Sequence, residues 1–548
     1  MRTVELVLEI EPKSCSEWLR ARSERARGAK HRPGSEPIGE AVAAVLGRMP
    51  GMAKVAARED VTMRVVGGTG AQADIRLLLD ETTDARRLSL SRAMSIVPGL
   101  TLRDTIRTEL IEPRAAIDDA GTLPEAFREV AGLDCAAARA APLLANRTAF
   151  RCRIPASGPP VEVVLLSAPS IRVTPPRAPG SGATESRRRA SQAFCELHLL
   201  AECGEGAKES PIGASVQAAG AAVLAVADSI VARLPAFVAT GDAYARALGA
   251  AVGSEPVRAT RVDLAGARTP HDALVAIGCN VASHWFGNER GAREQTAPES
   301  VHQMRVALRR ARTLVRLFPR WRDEAWHTRV EPGIKWLGGL LGAARDLDVF
   351  VDSTLPALAA ADGDASRWAP VQAKADARRQ EAHAQLQEAL RSRRHAELSL
   401  AWLEWLMAQR FSDGPPKHAR RSLASYAGKR VKRYYTRLTA PPALTSLDAA
   451  GRHRRRIAAK RLRYALEFFQ ALTASRTRGK VTQRLSLIQE TLGEGSDAAT
   501  ALRFIEALDV TPYQQGFARG WCEAVNRGTA RVAERLLGKL RRPVLRDR

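Results

Sequence analysis

Residues 301–318, VHQMRVALRRARTLVRLF, and residues 452–469, RHRRRIAAKRLRYALEFF, are two versions of one segment set 151 residues apart. His302 pairs with His453, Arg305 with Arg456, Arg309 with Lys460, Arg310 with Arg461, Arg312 with Arg463 and Phe318 with Phe469. The same offset carries Leu341, Gly342 and Asp346 onto Leu492, Gly493 and Asp497. One offset held across two separate motifs marks an internal duplication, since a chance match of basic runs would not keep register.

The spacing predicts a helix with a charged stripe. At 100° per residue His302, Arg305, Arg309, Arg312 and Arg316 fall within an arc of about 80°. Val301, Met304, Leu308, Ala311, Val315 and Phe318 fill a second arc centred roughly 110° away, the place of a core-facing stripe. The second copy repeats the cations with His453, Arg456, Lys460 and Arg463 and ends the stripe at Glu467. Six arginines and no acid lie in residues 301–320, and seven Lys or Arg and no acid in residues 452–463. Like charges at these spacings weaken a helix by roughly 0.2–0.5 kcal/mol per pair. No sequence neighbour neutralises them, so the stripe is expected to face a polyanion.

The chain's 548 residues allow two or more domains with sizeable cores. Its net charge of +25 is uneven: cations exceed acids by 3 in residues 1–260 and by 22 in residues 261–548. Such concentration marks an anion-binding half better than the total charge does. Seven scattered cysteines form no CxxC pair, which fits a reducing compartment and argues against a disulfide framework or zinc site. No apolar run is read as a membrane span and no signal peptide is read at the N-terminus, so a cytoplasmic protein with no membrane partner is expected.

Residues 1–250 read as mixed α and β. Strand-like runs occupy residues 4–10, 61–66, 75–79, 161–166 and 194–200. Helices are expected over residues 16–27 and 220–234, and a Pro-, Gly-, Ser- and Arg-rich loop over residues 171–192. From about Asp263 strand signals vanish and long Ala-, Leu- and Arg-rich helical periodicities continue to the C-terminus, punctuated by Pro332-Gly333, Asp362-Gly363-Asp364, Gly414 and Pro441-Pro442. Two helical repeats of about 150 residues predict two packed bundles related by a pseudo-twofold axis, with the two His-Arg helices as equivalent elements.

The two stripe segments, with LGAARDLDVF and IQETLGEGSDA, together resemble the CHAD domain, the conserved histidine α-helical domain. The resemblance covers residues 265–540, in halves of about 265–415 and 416–540. It implies a pair of four-helix bundles binding inorganic polyphosphate in a basic groove. The matching positions are His302, Arg305, Arg309, Arg310, Arg312, His453, Arg456, Lys460, Arg461 and Arg463; the stripe itself adds Arg316. Arg452 and Arg455 depart from the pattern, standing where apolar residues are usual. Residues 1–250 resemble a degenerate CYTH domain, an antiparallel barrel or tunnel with helices that acts on triphosphates, carried by VELVLEI, VEVVLLS, FCELHLLAE and the segment from Thr240 to Tyr244. Residues 251–264 then form a linker. The family's opening ExExK strand supplies metal-binding carboxylates, but here its positions hold Thr3, Glu5 and Val7. The literal motif from Glu9 to Lys13 contains Pro12, which suits a central strand badly. The later acidic strand keeps Glu196 but has His198 where a second acid is expected.

Inorganic polyphosphate suits a guanidinium stripe, because each group makes paired, charge-assisted hydrogen bonds to phosphate oxygens. The expected function is therefore polyphosphate binding, at polyphosphate granules and in company with granule proteins, without cofactor, metal or catalytic residue. Asp346, Asp348 and Asp497 are expected to anchor arginines of neighbouring helices. A metal-dependent triphosphatase using the N-terminal tunnel is an alternative, with Arg147, Arg151 and Arg153 as phosphate grips. Nucleic-acid binding is a further one, weakened by the 5% aromatic content and the lack of a recognition motif.

Overall fold

The computed structural model describes residues 1–11, 15, 38–67, 75–83, 85–110, 143–154, 158–172, 191–204, 213–240, 255–294, 298–412 and 422–546. The helix expected over residues 16–27, most of the loop over 171–192, residues 241–244, Gly414 and the Pro12-Lys13 end of the literal ExExK lie outside these. Two compact units emerge: Met1–Pro256 with Glu289–Ala297 and Arg391–Phe411, and Val257–Asn288 with Pro298–Leu390 and Ser412–Arg548.

The first unit is an antiparallel barrel. Its strands are β1 (Arg2–Ile10), β2 (Met52–Gly67), β3 (Ile75–Glu81), β4 (Arg86–Val97), β5 (Leu100–Leu110), β6 (Leu143–Cys152), β7 (Val161–Arg172) and β8 (Ser191–Glu202). They run in the order β5-β4-β3-β2-β6-β7-β8-β1, and β1 closes the ring by pairing with β5 from Arg2 to Leu6. Past Leu6 the same edge of β1 is taken by the short β9 (Ala236–Val238), so β1 keeps backbone partners along its length. Period-two alternation is plain in β3, where Ile75, Leu77 and Leu79 are buried and Arg76, Leu78 and Asp80 are half-buried. The five expected strand runs all fall within observed strands; β4, β5 and β6 were not among them, because charged and small residues interrupt their alternation, nor was β9, whose three residues are too few to show a period.

A tight turn joins β4 to β5 through Pro98-Gly99. Gly99 has φ +95°, and a Cβ there would sit 2.8 Å from Val238 Cγ1, so both backbone conformation and space require glycine. Helix α1 (Ile38–Leu46) lies on β6 and β7, and α2 (Ala214–Val231) packs on β1, β7 and β8. Against the expectation that no segment is long and apolar enough to span a membrane, α2 passes that test by length and composition; 56% of it is buried inside the unit, the place of a core helix.

Helices of the second unit repeat the 151-residue offset in their bounds. α3 (Pro270–Glu294), whose last turn counts with the first unit, precedes α4 (Pro298–Leu317), a 3-10 turn (Pro319–Trp321), a π turn (Trp326–Val330) and α5 (Glu331–Val349). A second π turn (Phe350–Thr354), α6 (Leu355–Asp362), α7 (Ala369–Leu390) and α8 (Arg393–Arg410) follow. The second copy runs α9 (Leu423–Thr439), α10 (Ala449–Phe468), a 3-10 turn (Gln470–Leu472), a π turn (Thr477–Val481), α11 (Thr482–Glu506) and α12 (Pro512–Gly538). α10, both its turns and the start of α11 thus sit 151 residues after α4, its turns and α5. A shared core joins the copies: Leu347, Phe350, Leu355 and Trp368 pack with Ala501, Ile505 and Ala518. α8, although late in the chain, belongs to the first unit, packed on α2, β4 and β9, with Met407 against Gly220, Leu403 near Gly99 and His395 against the Phe237 ring.

Candidate functional site

The two stripe helices pack against each other. α4 starts at Pro298, where the missing N–H is harmless, and α10 is capped by Asp448, whose carboxylate accepts from the Gly451 N–H at 2.7 Å. Phe318 and Phe469, equivalent in sequence, meet with ring centroids 6.2 Å apart. Met304, Leu308, Ala311 and Phe318 are buried at 0–1% exposure, so the expected apolar arc is the packed face of α4.

With that face buried, the cations of both helices converge. Arg305 and Arg309 of α4 lie within the electrostatic field of Arg456 and Lys460 of α10. Among the described residues the acids that act on Arg305, Arg456 and Lys460 are Asp346 and Asp497, each from the helix following its own stripe. Arg305 donates to Asp346 of α5 at 2.9 Å. Arg456 lies 3.7 Å from Asp497 of α11 and donates to Ser496 at 3.0 Å. These two pairs are images of one another at the 151-residue offset, and they hold the arginine rotamers as expected of Asp346 and Asp497. Arg309 and Arg456 each keep a buried Nε without a hydrogen-bond partner. Burial first, then the fields of Arg456, Arg309 and Arg305, push the Lys460 ammonium down to about 7. Burial likewise lowers His302, opposed by Glu299 and reinforced by Arg345, Arg309 and Arg305. His453 is lowered by burial and by Arg456, Lys460 and Arg503. A cluster that suppresses its own ionisation is short of negative charge.

The remaining predicted positions separate. Arg312 and Arg316 continue the stripe along α4; Arg312 runs beside Gly338 of α5, where a Cβ would lie 3.5 Å from its guanidinium. Arg316 is exposed and shares a field with Arg461, which also feels Arg437 of α9. Arg461 lines a groove with Arg437, Arg454 and Arg455, on a different side of α10 from Lys460. Arg463 projects beside the ring of Tyr464, its guanidinium carbon 5.0 Å from the centroid. Arg310 is a correction to the site. It is fully buried, 2.9 Å from Glu467, hydrogen-bonded to Asn280 at 2.7 Å and placed over the Phe468 ring at 5.3 Å. Its place about 120° round the helix from the stripe turns it into the packed interior, where it ties α3, α4 and α10 together.

Two further readings change. Asp348 accepts from His383 of α7 at 2.8 Å, so its partner is a histidine and not an arginine of the stripe. Arg455, a departure from the family pattern, donates to the carbonyls of Arg437, Leu438, Ala440 and Pro441, satisfying the otherwise open C-terminal end of α9. Sequence reasoning missed Arg345, which acts on His302, and Arg437, which extends the cationic field to Arg461. Arg437 belongs to the basic run of residues 428–437, whose cation spacing was legible in the sequence, whereas Arg345 has no cation three or four residues away and gave no such signal.

In the first unit the tunnel carboxylates are already engaged. Glu5 and His198 are 5% and 4% exposed, and Glu196 is fully buried. Glu5 takes a bifurcated ion pair from Arg103 and bonds His198 Nδ1 at 2.9 Å, while His198 Nε2 lies 3.5 Å from Glu196. Burial opposes ionisation of Glu5, but Arg103 and His198 outweigh it and hold its carboxyl far below the usual range. Burial also works against a charged His198, yet Glu196 and Glu5 raise it to about 10. Arg147 is spent on Glu59, at 2.7 Å, and Asp80. Among the described residues no group of three His, Cys, Asp or Glu is placed to hold a metal ion. A divalent ion at Glu5 would have to displace two cations, so these residues do not fit the metal that a working triphosphate tunnel uses.

Residues 276–506 match the CHAD domain family model. Among solved structures, the CHAD domain from the plant Ricinus communis is 30% identical, covering 53% of this chain and 99% of that one, with a TM-score of 0.44. PptA from Streptomyces chartreusis is 22% identical over 50% of this chain and 99% of its own, with a TM-score of 0.39. No curated protein matches the chain. The closed eight-stranded barrel ahead of the matched region is consistent with a CYTH-like tunnel domain. The match runs from within α3 to the end of α11 and takes in both stripe helices, and the chain belongs to the CHAD domain family.

Proposed function

We propose that this protein binds inorganic polyphosphate across the paired stripe of α4 and α10, and that the N-terminal barrel serves as a scaffold without hydrolytic activity. One observation carries the reading: Arg305, Arg309, Arg456 and Lys460 converge from two helices, opposed among the described residues by Asp346 and Asp497. A linear polyanion supplies charge along the whole stripe, and its non-bridging oxygens meet the fork of each guanidinium. Arg312 and Arg316 extend the track along α4, and His302 and His453 flank it as groups that gain a proton when phosphate arrives. Arg310 has no part in it. A granule location, with granule proteins as neighbours, follows from the ligand. The tunnel-enzyme alternative is disfavoured by the internal ion pairs of Glu5 and His198.

The test is polyphosphate binding by the full chain and by the double variant R305E/R456E, at several salt concentrations and with excess DNA as competitor. Counterion release predicts a steep fall of affinity with salt, and the double variant flattens that slope. Equal displacement by DNA, or a double variant that binds unchanged, defeats the proposal.

A further inference from the structure

The second helical copy contains a cavity of about 820 Å³ between α10, α11 and α12, within the ~300–1,000 Å³ range of small-molecule sites. The duplication provides an internal control for it. At the equivalent places of the first copy, Val301 is packed at 9% exposure, Asp348 is tied to His383 of α7 at 2.8 Å, and Asp352 is tied to Arg379 of α7 at 2.7 Å. The 151-residue offset turns these three into Arg452, Ala499 and Arg503, and turns Arg345 into Ser496. One arginine and two aspartates have become two arginines, and the two carboxylates that cross to the fourth helix are gone. The space they would occupy lines the cavity with Arg452, Ala499 and Arg503.

The lining has two characters. At the α10 end stand Arg452, His453 and Arg503; Arg452 has a buried Nε without a hydrogen bond and no ion pair among the described residues. Leu492, Ala499, Leu502 and Ala530 give the cavity apolar lining, and Arg519 and the Glu523 carboxylate, which is paired with Arg527, complete the α12 side. Into that apolar part comes Asn526 of α12, 8% exposed, whose side-chain amide makes no hydrogen bond among the described residues. An amide facing a cavity with no protein partner offers a donor and an acceptor side by side, met by water until a ligand takes its place. Polyphosphate has no apolar body to cover these walls.

We propose that this cavity binds a purine nucleotide, with the phosphates on Arg452 and Arg503 and the base between α11 and α12, its edge read by the Asn526 amide. The pairing of an Asn amide with the N6/N7 edge of adenine meets both open groups at once. Arginines at the mouth suit phosphate by their paired donors. The site meets the stripe at His453, which lines both, but its phosphate and base contacts use residues outside the stripe and do not depend on the polyphosphate reading.

The test is equilibrium dialysis of the full chain with ADP, set against inorganic phosphate and long-chain polyphosphate. Two variants accompany it: A499D/R503D, which restores the first-copy residues, and N526A. ADP is expected to bind saturably at one site per chain. A499D/R503D should weaken it by about tenfold or more, through loss of charged hydrogen bonds to phosphate. N526A should weaken ADP and leave the binding of inorganic phosphate alone. Circular dichroism checks folding, and if A499D/R503D does not fold, N526A decides the matter. The proposal is overturned by the absence of saturable ADP binding at millimolar concentration, by inorganic phosphate binding as tightly as ADP, or by ADP affinity unchanged in a folded variant.

Discussion

Polyphosphate affinity should fall as pH rises through neutrality, and Lys460 is the reason. In the free protein its ammonium titrates at about 7, held down by burial and by Arg456, Arg309 and Arg305. A phosphate lying on the stripe cancels those fields and returns the group toward its ordinary 10.5. Linkage then sets the sign. Below pH 7 Lys460 is charged in both states and binding is independent of its titration. Above pH 7 the free lysine is neutral while the bound one is charged, so each binding event takes up a proton and affinity drops about tenfold per pH unit. Between pH 7 and pH 9 the loss approaches ~2 log units, or about 2.7 kcal/mol. His302 and His453, both lowered from 6.5, add a smaller fall that is complete at lower pH. The assay is titration calorimetry with long-chain polyphosphate at fixed ionic strength, in buffers of different ionisation enthalpy, so that proton uptake is counted directly. Lys460→Arg, charged throughout this range, should flatten the profile above pH 7 and abolish the uptake there. Equal slopes for the wild type and K460R, or no uptake at pH 8, would refute the reasoning.

Other perturbations reach the rest of the molecule. Lys460→Met should raise the melting temperature of the ligand-free protein at pH 7 while weakening polyphosphate binding, because it removes a self-repelling cation from the cluster. Arg310→Met should lower stability by about 3–5 kcal/mol, since it strands Glu467; thermal melts would show this, and the salt slope of binding should match the wild type. Glu5→Gln leaves Arg103 and His198 short of their counter-charge and should destabilise the barrel by a similar ~3–5 kcal/mol. With Glu5 intact its depressed carboxyl contributes stability above 4.5 that is lost as pH falls, and raised His198 contributes stability below 6.5 that is lost as pH climbs through about 10; melts across pH locate both limbs. Gly99→Ala combines positive φ with a near contact to Val238 and should lower stability by about 1–3 kcal/mol.

The barrel was legible where strands alternate cleanly, as in residues 75–79, and illegible in β4 and β5, where Arg86, Arg87, Arg92 and Arg103 hide the period. Arg310 shows a subtler limit. Its helical angle already set it apart from the stripe, but only the position of Glu467 reveals that a partner waits there for the buried guanidinium. Arg455 read as surplus charge and is a cap for α9, because its acceptors are main-chain carbonyls that any sequence possesses.

By itself, the sequence determined the duplication, the helical character of the C-terminal half and the cationic face of each stripe helix, since all three rest on periodicities within a few turns or on one repeated offset. Tertiary structure alone decided that the two stripes share a single field, that α8 packs with the barrel unit, that Glu5 is neutralised from two sides, and that the second copy forms a cavity where its twin sets two carboxylate pairs. Each of these depends on partners tens to hundreds of residues away, whose approach is set by which faces the core buries, and no local spacing carries that information.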